Sequence, residues 1–230
     1  MKIDEIGMLT ADLRAMQEFY RNRLGLPVVR KDDKTLQVGA GASTLLFSQA
    51  PEGWAGCYHF AFNIPENRFK EAKEWAAQRA TLLKSSSGED EFNFRSWDAH
   101  SLYFYDPAGN ILELIARHAL AETATPTQFS ANSILSVSEI GLVTEDVLLQ
   151  VGLLTAELGV EVYDGEGSDT FAAVGDEEGL LIVVKRGRTW FPDTGKAADS
   201  SPLSLAVTTR RGRYRLSGPP FGKLERYDHA

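Results

Sequence analysis

One order of elements, a strand followed by a helix and three more strands, recurs along this chain, and a unit of that kind cannot bury its apolar faces alone. The first copy opens on a period-2 run over residues 2–9 and continues into TADLRAMQEFYRNRLG. There Thr10 or Asp12 can cap a helix that Gly25 ends, and Leu13, Met16, Phe19 and Tyr20 share its apolar face. Strand-like runs follow at 26–30, 34–38 and 44–48, set apart by Asp and Gly clusters. The second copy predicts a strand over 58–64, a helix after Pro65 with Phe69, Ala72 and Ala76 inward, and strands near 81, 100 and 111. HALAETATPTQFSANS has the composition of a linker, after which EIGL at 139–142 echoes EIGM at 5–8. Val147, Leu148, Val151, Leu154 and Leu158 then form a helical stripe ended by Gly159. In a fourth copy LSLAVTT resembles HFAFNI, with Ser204 in the place of His59, and no helical stretch follows. The expected organisation is a first domain at 1–118, a linker at 119–133, and a degenerate second domain at 134–230 with a truncated last module.

Composition narrows the function. The chain has 230 residues, 43% of them hydrophobic, and a net charge of -8. That balance argues against non-specific nucleic-acid binding, which needs a basic face. Arg210, Arg211, Arg213 and Arg215 are the local exception, read as a solvated strand or loop in preference to an anion contact. No apolar run is long enough for a membrane span, and MKIDEIGMLT carries carboxylates where a signal peptide is apolar. The single Cys57 fits a reducing compartment. A cytoplasmic protein with a small-molecule partner, either monomer or homodimer, is expected, without nucleic acid or membrane partners.

Three acid-base residues fall at matching points of the repeat: Glu5 in KIDEIGML, His59 in YHFAFNIP and Glu113 in GNILELIA. Each sits in a period-2 run and can leave its strand opposite the core-forming side chains, a pattern that suggests a metal site inside a cup. One imidazole and two carboxylates suit Zn, Mn, Ni or Fe(II), with positions left for water and substrate. An ungapped overlay of the unit ends sets Phe47 opposite Glu113, and the third copy offers Ile182 or Val183 there. Glu139 repeats Glu5, yet its expected partners are Ser204 and an aliphatic residue, so it is not expected to hold a metal by itself. Ser101 and Tyr103 share one strand face, the wall of the cup. His100 points the other way, and Cys57 reads as a small buried hydrophobe at the rim. No nucleophilic triad, Walker loop or dinucleotide fingerprint is present.

The phrases DLRAMQEFYRNRLGL and SLYFYDPAGNILEL, correctly spaced within the repeat, resemble the two best-known marks of the vicinal oxygen chelate superfamily, which contains glyoxalase I, extradiol dioxygenases, fosfomycin resistance proteins and bleomycin-binding proteins. The resemblance is clearest over 1–118. It implies an α+β fold in which paired βαβββ modules join curved mixed sheets into a cup, with modules one and two pairing within the chain and modules three and four covering a sheet edge or the cup mouth. It also implies divalent-metal ligands on first and last strands, here Glu5, His59 and Glu113. Glu5 is then the candidate base, Tyr103 a hydrogen-bond donor to an anionic substrate oxygen, and Ser101 a substrate contact. The chain departs from the pattern at Glu5, where many members have His, and at Gly7, where the thiol transferases have Thr. It also lacks the upstream histidine of the extradiol phrase. The implied function is a metal-dependent enzyme acting on a small oxygenated molecule, with glyoxalase-like lyase or isomerase chemistry ahead of ring-cleaving dioxygenase chemistry. The competing class is a metal-free small-molecule binding cup, with Trp54 and Trp97 in covering loops.

Overall fold

The Asp12 carboxylate accepts from the Ala15 backbone N–H at 2.8 Å, and that cap starts the first helix. In the computed structural model, which describes residues 1–120, 128–165, 167–218 and 221–227, module one is β1 (Lys2–Thr10), α1 (Leu13–Gln17), β2 (Val28–Lys31), β3 (Thr35–Ala40) and β4 (Ser43–Gln49). A π-helical turn over Glu18–Arg23 extends α1 until Gly25, at φ +82, ends it. Module two is β5 (His59–Ile64), α2 (Phe69–Ala77), β6 (Phe92–Phe94), β7 (Ala99–Tyr105) and β8 (Ile111–Arg117). Module three is β9 (Ser136–Thr144), α3 (Val147–Leu158), β10 (Val162–Tyr163), β11 (Phe171–Asp176) and β12 (Gly179–Lys185). Module four is β13 (Ser204–Thr209), β14 (Gly212–Ser217) and β15 (Lys223–Tyr227), a meander with no helix among its described residues. Residues 121–127 of the expected linker, and also His229, lie outside the described residues.

The modules pair differently from the expectation. Strand β1 runs parallel to β4 and antiparallel to β13, while β5 runs parallel to β8 and antiparallel to β9. Module one therefore pairs with module four and module two with module three, and each pair builds one curved arc. The arcs join where Ile3 of β1 meets Val137 of β9. An open strand edge must be covered or paired; here the first strands of the C-terminal half satisfy those of the N-terminal half.

Strand alternation divides the apolar residues into two cores. Phe47, Phe60, Phe62, Leu112, Leu114 and Ile140 point to the helical side and form the main core with Tyr20 of the π-helical turn. Tyr103, Ile111, Ile182 and Trp190 belong to a second cluster inside the arc of modules two and three. Two local readings change. The segment near 81 makes only a single bridge from Leu82 to Phe104, and the strand forms after the Ser- and Gly-rich stretch at 85–88, as β6. On α3, Leu148 is 57% exposed and Gln150 takes the inward place, because residues 147, 150, 151, 154 and 158 share one face at 100° per residue. The arginine cluster is structural at two points: Arg211 donates to the Ala156 carbonyl near the end of α3, where a cation is favoured, and Arg215 stacks on Tyr227. Among the described residues no helix is long and apolar enough to cross a membrane.

Candidate metal centre

Ala61 of β5 is in register with Glu113 of β8 on one side and with Glu139 of β9 on the other. Its methyl group leaves the space between the two carboxylates open, and His59, two residues earlier on the same face of β5, closes that space. One ligand atom from each of His59, Glu113 and Glu139 lies within 4.8 Å of the other two, and all three residues are buried. His59 Nε2 stands 3.6 Å from Glu113 Oε2. Donors bound about 2.1 Å from one cation sit roughly 3.0–3.4 Å apart, so a small closure brings this pair to ligating distance.

The imidazole is oriented for that role. His59 Nδ1 lies 3.1 Å from the Ile111 carbonyl, which fixes the proton on Nδ1 and turns the Nε2 lone pair into the cup. Burial lowers the His59 pKa to about 4, against a smaller opposite effect of that carbonyl. The ring is thus neutral at physiological pH, the form that binds metals. Trp190 packs on it with ring centres 5.3 Å apart.

The two carboxylates differ. Burial, followed by the nearby charge of Glu139, raises the Glu113 pKa to about 8, against the hydroxyls of Ser101 and Tyr103 and the charge of Arg117. Burial raises Glu139 as well, but fully buried Arg117 forms an ion pair with it and draws it back. Arg117 Nε also donates to Ser138 Oγ at 3.2 Å, and its guanidinium lies over the rings of Trp97 and Tyr163. Glu139 therefore keeps its charge and Glu113 takes the proton when only one charge is compensated.

The structure brings His59 and Glu113 together with Glu139, and Glu5 is not in that cluster. Glu5 is in register with Thr44 and Ala206, and Gln37 Nε2 donates to it at 3.4 Å. Gly7 stands between Leu46 and Ser204 as Ala61 stands between Glu113 and Glu139. Glu5, Leu46 and Ser204 thus stand at the equivalent positions of the other arc. The register also shows that Leu46, not Phe47, matches Glu113; the ungapped overlay is off by one residue. The same register sets Ile182 beside Gly141, so Ile182 is the aliphatic residue at the fourth position of the arc that holds the carboxylates.

Tyr103, buried and in register with Glu113, forms the cup wall with its ring centre 6.2 Å from that of His59. Ser101 is fully buried; its Oγ faces Glu113 without completing a hydrogen bond. Trp97 lines the cavity, whereas Trp54 lies elsewhere, beside Thr10 and Pro107. His100, off the cup as expected, has its Nδ1 2.8 Å from His118 Nε2. Sequence reasoning passed over Glu139, although EIGL flagged it as a copy of EIGM, and gave no weight to Arg117, Arg188 or Trp190.

A family model described as a glyoxalase-like domain matches residues 4–115. A point variant of glyoxalase I from Zea mays superimposes over 97% of this chain and 90% of its own, with a TM-score of 0.57 and 14% identity. A candidate dioxygenase from Bacillus subtilis covers 97% and 83%, with a TM-score of 0.58 and 15% identity. These likenesses show the two-module glyoxalase fold over the full length. No curated protein matches the chain at a significant level.

Proposed function

We propose that this chain, a glyoxalase-like domain over residues 4–115 closed into its full fold by the C-terminal half, is a metal-dependent enzyme for a small oxygenated molecule, with its cation held by His59, Glu113 and Glu139. The convergence of one neutral imidazole and two carboxylates in a buried cup carries this reading. The donor set fits Zn, Mn, Ni or Fe(II). The charge also fits: two carboxylates face one paired cation, Arg117, and a dication would compensate the second without protonating Glu113.

A cation bound there would supply Lewis-acid polarisation of substrate oxygens. The chain's own residues supply the rest. Glu113, a carboxylate on the floor of the cup, can take a proton from a position next to a substrate oxygen and return it. Tyr103 stays a phenol, since burial and the charge of Glu113 both raise its pKa, and can donate to an oxygen on which negative charge develops. Ser101 offers a second hydroxyl, not yet engaged, beside the same carboxylate. Proton transfer of this kind is the step that lyase and isomerase chemistry needs. A ring-cleaving dioxygenase is less favoured, because the set has one imidazole where that chemistry prefers two.

Metal analysis tests the proposal. Protein expressed without a histidine tag and reloaded with Zn, Mn, Ni or Fe(II) should hold roughly one cation per chain, as a single three-ligand site requires, and His59→Ala and Glu113→Gln should lose it while remaining folded. Wild-type protein that takes up none of the four cations would favour the second reading, a metal-free binding cup. That reading draws on the Arg117 contact, which already occupies one oxygen of Glu139.

A further inference from the structure

The cup continues upward from His59, Glu113 and Glu139 into a cavity of about 290 Å³, walled by Phe94, Trp97, Phe171 and Phe191. That volume is near the lower end for ligand sites, which run from about 300 to 1,000 Å³, so it suits a one-ring molecule. Phe191, 42% exposed, stands over the cup with its ring centre 5.4 Å from Tyr103. The wall is therefore aromatic almost throughout.

One charge interrupts it. Arg188, on the segment after β12, lines the same cavity and is half-buried. Its guanidinium lies 5.0 Å from the centre of the Phe171 ring, and among the described residues it makes no hydrogen bond or ion pair with any side chain. A guanidinium carries five donors, and this one, packed against the ring, has them available for bidentate contact with a carboxylate. Arg117, in contrast, is already committed to Glu139. The free charge at the upper wall is thus positive, which disfavours a cationic aromatic ligand despite the acidic cup floor.

We propose that the ligand of this cup is an aromatic carboxylic acid, its ring held by Trp97, Phe171 and Phe191, its carboxylate held by Arg188, and its further oxygen groups directed to His59, Glu113 and Glu139. The inference rests on the cup being the reaction site as proposed above, but it concerns the other end of the ligand.

Phenylacetate, its neutral isostere phenylacetamide, and acetate serve as probes, with binding followed by calorimetry and by the fluorescence of Trp97 and Trp190. Measurements are made on the full chain loaded with zinc and again after EDTA, so that carboxylate binding to the cation is separated from binding to Arg188. The expected result, in both states, is phenylacetate at least about tenfold tighter than phenylacetamide, as for a charge-assisted pair, with acetate weaker than either. Arg188→Gln should remove the preference, Arg188→Lys should keep part of it, and both should take up zinc as the wild type does. Equal binding of the acid and the amide after EDTA, or a preference that survives in Arg188→Gln, would overturn the inference. The preference seen in a protein that never holds a cation would leave this subsite standing and remove the metal proposal; a tight cation without the preference would do the reverse.

Discussion

Glu113 and His59 make opposite demands on pH, and together they set how the metal-free protein behaves. Glu113 is raised from 4.5 to about 8, so between these values the folded state holds a proton that the unfolded state has lost, and stability falls as pH rises through about 8. His59 is lowered from 6.5 to about 4, so the unfolded state binds the extra proton and stability falls as pH drops below the ordinary imidazole range. Cation binding must displace the Glu113 proton but finds His59 already neutral. Affinity should therefore rise about tenfold per pH unit below about 8 and flatten above it, with roughly one proton released at neutral pH. Calorimetry in buffers of different ionisation enthalpy measures that number; a value near zero or two contradicts the assignment. Arg117 makes a second residue-scale case. Removing one partner of a buried ion pair costs about 3–5 kcal/mol, whereas replacing both by apolar groups is often neutral. Arg117→Met should thus destabilise the EDTA-treated protein by about that amount, and Arg117→Met with Glu139→Leu should recover most of it in denaturant melts.

At the scale of elements, the turn before β8 and the π-helical turn after α1 are tied by one buried hydrogen bond. Tyr20 donates to Asp106 Oδ2 at 2.8 Å, while Asp106 also accepts from the backbone of Ala108 and Asn110. Tyr20→Phe should cost about 1.5–3 kcal/mol, the range for a hydrogen bond to a charged group, without changing cation uptake; a neutral effect on melting would show the tie to be dispensable. Gly141 offers a sharper test of site support, since a Cβ there would meet the Trp190 ring at 2.6 Å. Gly141→Ala should displace Trp190 from His59 and shift its fluorescence, with unchanged emission the contrary result. These elements were largely legible in the chain. The cap at Asp12 and the stops at Gly25 and Gly159 use local chemistry, and local chemistry is what a sequence displays. Which first strand pairs with which was not legible: β1, β5, β9 and β13 carry similar alternating runs, and only the completed sheet decides that β9 lies against β5. For that reason Glu139 was expected beside Ser204 and an aliphatic residue, whereas β9 sets it across β5 from Glu113.

The whole molecule is two arcs of equivalent strand order, of which one holds His59, Glu113 and Glu139 and the other Glu5, Leu46 and Ser204. His59, Glu113 and Glu139 all come from one chain, so no second copy is needed to bring them together. The C-terminal half supplies β9 to one arc and β13 to the other. A fragment ending at residue 118 leaves β1 and β5 without their antiparallel partners and uncovers apolar surface, and it should aggregate or self-associate; a soluble, cooperatively melting monomer would contradict that dependence. The fragment also lacks Glu139. Whether that residue or Glu5 completes the cation site is the most direct question about the molecule, and calorimetric titration of EDTA-stripped Glu139→Gln and Glu5→Gln with zinc answers it. Loss of binding in Glu139→Gln with wild-type affinity in Glu5→Gln is the predicted result; the opposite pattern, or equal and undiminished binding in both, would contradict the arrangement of the site.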